Sequence, residues 1–127
     1  PPPPPPAIVP PAPPVAPAAD TATGPSPDDR YLTTEELRAA AVAAGWPVEL
    51  LPEVEAVAWC ESRNHTHAQN FGALGIMQMV GLWFGAAGLN PDHWWDPVVN
   101  LRAAKHAYDE QIRLGVDGWA PWACKPW

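Results

Sequence analysis

Apolar residues recur at helical spacing in three separate stretches, and prolines and glycines punctuate the gaps between them. The first stretch opens at Thr33-x-x-Glu36, a capping box, with Glu35 and Glu36 suited to a positive helix N-terminus. It should run to about Ala44 and stop at Gly45. A short turn over Val48–Leu51 follows, then a helix with Pro52 in its first turn. That helix carries Val54, Val57, Ala58 and Glu61 at i, i+3, i+4 and i+7, and Leu50 and Leu51 extend the same face backwards. Asn64 to Phe71 is polar and predicts a loop. After Gly72-Ala73-Leu74-Gly75, the residues Ile76, Met77, Met79, Leu82, Trp83 and Phe84 predict a buried helix ending near Gly85–Gly88. Asn90–Trp95 predicts a turn. Asp96 then caps the longest helix, with Pro97 at its first position. Val98, Leu101, Ala104, Tyr108 and Ile112 mark its face, and Gly115 its end. No strand-period alternation of any length is visible, so the predicted class is all-α.

One position in this pattern bears chemistry. Glu61 puts a carboxylate in an apolar stripe, where burial would raise its pKa and keep it protonated near neutrality. A general acid needs that property. Glu61 also stands near the helix end, where the chain turns at Arg63-Asn64. Reaching solvent there, or pairing with Arg63 or another base, are the alternatives, and the pattern leaves them open. Gln78, a lone amide among apolar residues, either caps a neighbouring loop or contacts a polar ligand.

Composition divides the chain of 127 residues in two. Residues 1–27 hold most of its 19 prolines, with Ala and Val, and predict a linker without a packed fold that favours extended polyproline conformation. Residues 28–127 are enough for one domain with a single core. The start lacks an initiator Met, a charged n-region and a long apolar run, and is read as a processed or trimmed piece, with any signal peptide already gone. A formal net charge of −7 with no basic patch argues against nucleic acid, and no transmembrane span is evident. All eight Trp lie after position 45. Trp46, Trp59 and Trp83, at helical positions, are read as core, whereas Trp83, Trp94, Trp95 and Trp119 are also candidates for a groove that stacks sugar rings.

The two cysteines, Cys60 and Cys124, either bridge, tying the tail to the helix of Glu61, or remain buried thiols. An even count beside a proline-rich linker suits an oxidising setting and favours the bridge. His65-x-His67 lacks further donors at ligand spacing, and His93 and His106 stand apart, so no metal and no cofactor are expected.

Glu61-Ser62, then Gly72-Ala73-Leu74-Gly75-Ile76-Met77-Gln78, then Asp96-Pro97-x-x-Asn100 together resemble the catalytic domain of soluble lytic transglycosylases. The likeness spans roughly Leu37 to Trp122, with three motifs in the family's order. It implies a lysozyme-like, mainly helical fold, and Glu61 as single catalytic acid/base. Met77 and Gln78 resemble the family's sugar-contacting pair, and Asn70 stands near its frequent serine. Ala107-Tyr108-Asp109 imitates the family's late Ala-Tyr-Asn motif but comes too early, so Tyr108 is read as core, with Trp119 or Trp122 in the tyrosine's place. Val57–Ser62 (Val-Ala-Trp-Cys-Glu-Ser) with Trp122-x-Cys124 is similar to resuscitation-promoting factors, which implies the Cys60–Cys124 pairing. Both likenesses imply one substrate class, peptidoglycan glycan strands, cut by a monomer that is secreted to the cell wall or carried by a phage. The reaction implied is cleavage between N-acetylmuramic acid and N-acetylglucosamine with a 1,6-anhydro product. A muramidase-type hydrolase and a non-catalytic wall-binding module are the alternatives.

Overall fold

The computed structural model describes residues 29–127; the expected linker over residues 1–27 lies outside them. Helix α1 (Thr34–Ala43) begins as the capping box requires: Thr33 Oγ1 accepts from Glu36 N, and Glu36 accepts from Thr33 N. Gly45 ends it at φ +100°, and Pro47 leads through a 3-10 turn (Val48–Leu50) into α2 (Leu51–Ser62). The predicted stripe on α2 is buried, with Val54, Val57 and Ala58 at 0% exposure. Helix α4 (Pro97–Arg113) starts on Asp96, whose Oδ1 accepts from Val98 N at 2.8 Å and Val99 N at 3.2 Å.

Between α2 and α4 the structure departs from the all-α expectation. A three-stranded antiparallel sheet, in the order β1 (Gln69–Asn70), β2 (Ala73–Leu74) and β3 (Met79–Val80), occupies this segment. Its register pairs Asn70 with Ala73 and Ala73 with Val80. The helix expected from Ile76 is replaced by a turn and β3, and only the short α3 (Leu82–Ala86) is helical. Gly75 and Gln78 adopt φ of +75° and +53°, outside the right-handed helical region, and Met79 and Val80 bond to β2 instead. A 3-10 turn (Pro91–His93) then leads towards α4. The chain is therefore mainly helical with a small sheet.

The core joins α1, α2 and α4 around Leu37, Ala41, Val54, Val57, Leu101, Ala104 and Ala107. The tail covers one side of it with aromatic rings. Trp119 stacks on Trp46 at 5.5 Å, and Tyr108 meets both rings edge-on. Gly118 is required beneath this cluster, since a Cβ there would collide with the Tyr108 ring.

Candidate functional site

Glu61 occupies the last turn of α2, with three segments converging around that helix end. The first is the turn that ends α2, where Arg63 and Asn64 adopt left-handed φ of 58° and 63°. Arg63 folds back on its own helix: its Nη1 donates to Trp59 O at 2.5 Å and its guanidinium lies 5.2 Å over the Trp59 ring. Arg63 therefore does not pair with Glu61. Trp59, expected in the core, is 56% exposed, because it lies off the Val54–Val57–Ala58 stripe.

The second segment is the Gly75–Gln78 turn. Ser62 Oγ donates to Ile76 O at 2.8 Å, seating the turn against the end of α2. Asn100, fully buried on α4, clamps it from the other side. Its Oδ1 accepts from Met77 N at 2.8 Å, and its Nδ2 donates to Leu74 O at 2.9 Å and Trp94 O at 3.0 Å. A Cβ on Gly75 would run into the Asn100 amide and come within 2.8 Å of Trp94 O, so this close approach needs glycine.

The third segment is the tail. The Cys60–Cys124 disulfide ties it to α2 across a sequence separation of 64 residues. Trp119 Nε1 donates to Glu53 Oε1 at 2.6 Å near the start of α2, and Cys124 N donates to Glu61 Oε2 at 3.2 Å near its end. Lys125 Nζ holds the tail turn together by donating to Trp119 O at 3.0 Å, Ala120 O at 3.3 Å and Trp122 O at 2.6 Å.

This setting acts on the Glu61 carboxyl in two directions. Burial raises its pKa above the ordinary carboxylate value, and the Cys124 N–H and the Lys125 charge offset part of that rise. The net direction is upward, so desolvation dominates and the proton is held longer than on a free glutamate. Sequence reasoning located Glu61 but missed both groups that oppose burial. The Cys124 contribution is a backbone N–H, which no residue pattern marks. Lys125 had one available signal, its place directly after the bridging cysteine.

The other expected contact residues divide. Asn70 is exposed and donates from Nδ2 to Gln78 Oε1 at 3.0 Å. Gln78 Nε2 donates to Ala68 O at 3.2 Å and Gly75 O at 3.0 Å, so its amide caps the loop, the first of its two readings. Met77, Trp119 and Trp122 do not present side chains to a ligand: they are 0%, 1% and 5% exposed. The sugar contact expected of their side chains finds no support in this burial. Their polar atoms are committed internally, Met77 N to Asn100, Met77 O to Trp122 Nε1 at 2.9 Å and Trp119 Nε1 to Glu53. Trp119 and Trp122, large apolar rings in the tail, and Met77, in the turn held by Asn100, are drawn into the core, where all three lie.

The remaining groove candidates also sit in contacts of their own. Trp83 meets His106 edge-on, and Trp94 and Trp95 flank His67. His65 Nε2 meets Asp29 Oδ1 at 2.5 Å beneath the Tyr31 ring. Among the described residues, no three or more His, Cys, Asp or Glu side chains are grouped to hold a metal ion. No helix among them is long and apolar enough to cross a membrane. No family model, curated protein or solved structure matches this chain.

Proposed function

We propose that this chain is a peptidoglycan-lytic enzyme of the lysozyme-like, lytic transglycosylase kind, with Glu61 as its single general acid/base. The observation that carries this reading is the state of Glu61: a half-buried carboxyl with a raised pKa, one oxygen fixed by the Cys124 N–H, on the helix that also bears the disulfide. It is joined by the resemblance of three motifs in sequence order. Protonating a leaving oxygen requires an acid that keeps its proton near neutrality and points it from a fixed place.

The reaction runs in two proton transfers. Glu61 gives its proton to the glycosidic oxygen as the bond from that oxygen to C1 of N-acetylmuramic acid breaks. The acetamido oxygen of the same sugar bonds to C1 and disperses the developing charge. Glu61, now a carboxylate, takes the proton from the C6 hydroxyl as O6 bonds to C1 and displaces the acetamido oxygen. A 1,6-anhydro ring forms, and the acid is restored. No water is consumed.

The single-acid form of this chemistry is favoured over a two-carboxylate hydrolase by the employment of three acids on α2, at the start of α4 and in the tail. Asp96 caps α4, Asp117 Oδ1 accepts from Trp119 N within the tail turn, and Glu53 accepts from Trp119 Nε1. Each of these carboxylates already serves the fold. The disulfide suits an extracytoplasmic setting, such as the cell wall or a phage particle.

The masses of muropeptides released from purified peptidoglycan test the reading. Fragments lighter by one water than hydrolytic products, with no reducing end, are expected. Reducing ends would identify a hydrolase instead, and sugar binding without release would identify a wall-binding module.

A further inference from the structure

Phe71 sits at the tip of the β1–β2 hairpin, in a two-residue connection between the paired residues Asn70 and Ala73. It adopts φ +49°, and Gly72 beside it φ +88°. Two successive positive φ values suit Asn-Gly or Gly-Gly, and a bulky aromatic at the first of them is an outlier. The ring is also fully solvent-exposed, at 108%. It lies outside the core cluster and the residues packed on it. Phe71 thus bears a backbone cost and gains no burial in return. Strain that folding does not use points to a use outside folding.

The tip is not loosely attached. Asn70 Nδ2 bonds Gln78 Oε1, and Gln78 Nε2 bonds Ala68 O and Gly75 O, fixing the hairpin to the Gly75–Gln78 turn. That turn is bonded through Ile76 O to Ser62, the neighbour of Glu61, and through Met77 O to Trp122 in the tail that reaches the Glu61 carboxyl. The hairpin is therefore fixed to the same two segments, the end of α2 and the tail, that set the Glu61 carboxyl. From Ala68 to Asn90 the chain carries no Asp, Glu, Lys or Arg. The hairpin offers an aromatic face and amides but no charge, and neutral sugars are held by such a set. An anionic membrane surface would require basic residues that this stretch lacks.

We propose that Phe71 is a substrate-binding residue whose ring stacks on a pyranose of the glycan strand beside the bond whose oxygen Glu61 protonates. This rests on the glycan-cleaving reading above. The bonded hairpin fixes where the ring is presented, and its full exposure leaves the ring face open to a sugar.

The test uses Glu61→Gln as the parent, so that binding is read without cleavage, with chitotetraose as probe and titration calorimetry as readout. Phe71→Asn is expected to raise the thermal midpoint, because asparagine tolerates left-handed φ, while weakening chitotetraose binding by about tenfold. Phe71→Trp should keep the affinity. Phe71→Asn with unchanged affinity would overturn the proposal and leave the glycan reading standing. A fall in midpoint together with affinity would show the ring to be structural and overturn it equally. Loss of vesicle binding or of self-association, with sugar affinity intact, would assign the ring to another partner. A parent that binds no chitotetraose or peptidoglycan would sink this proposal and the proposed function together.

Discussion

The proton on Glu61 is governed by what its carboxyl can and cannot touch. Desolvation penalises the charged form more than the Cys124 N–H and Lys125 reward it. The sign fixes two consequences. A folded-state pKa above the unfolded value means that the native state binds the proton more tightly. The contribution to stability is therefore fully present below the unfolded pKa and is lost as pH rises through the folded one. General-acid activity shares that alkaline limit, since the proton must be present when substrate arrives. A carbon-13 NMR titration of the side-chain carboxyls should find Glu61 titrating above the exposed glutamates. Titration of Glu61 at an ordinary carboxylate value would remove the physical basis for an acid role. This much was legible in the sequence, because a carboxylate at i+7 in a stripe of Val54, Val57 and Ala58 can be counted. What the stripe could not tell was the fate of its rival partner, Arg63. That was decided by a left-handed turn which directs the guanidinium onto Trp59.

Elements obey a different legibility. Thr33, Asp96 and Pro97 announce α1 and α4 because caps use local chemistry, with donor and acceptor within three residues. The sheet offers no such sign. Its strands are two residues long, too short for alternation, and the turn between β2 and β3 depends on Asn100, far along the chain on α4. A tertiary contact overrode the apolar periodicity from Ile76 to Val80. The same reasoning predicts that Asn100→Ala unhinges this segment. It leaves Met77 N, Leu74 O and Trp94 O without their partner in the interior. The expected cost is about 3–5 kcal/mol, read as a lower midpoint in urea unfolding. A loss under about 1 kcal/mol would mean that the turn holds without the clamp.

For the whole molecule, the tail and α2 form one unit. Trp119 reaches Glu53, Cys124 reaches Glu61, and the disulfide joins them. Closing a loop of this length stabilises by about 4 kcal/mol in the chain-entropy model. Cys60→Ser with Cys124→Ser should lower the thermal midpoint by about 15–30 °C and release the N–H that steadies Glu61. An unchanged midpoint would show that aromatic packing alone retains the tail. The bridge was foreseeable from two cysteines beside a proline-rich segment, and the burial of Trp119 and Trp122 was not. Tryptophan counts do not reveal which rings a tail will push inward, and here Trp46 and Tyr108 provide the surface that receives Trp119. The chemistry proposed for the assembled molecule still turns on a single side chain. Turbidity clearing of purified peptidoglycan by the parent chain and by Glu61→Gln, with matched circular dichroism spectra, tests it most directly. The parent should clear the suspension, and the variant should be slower by at least about a thousandfold while keeping its fold. Equal clearing by both would contradict the account.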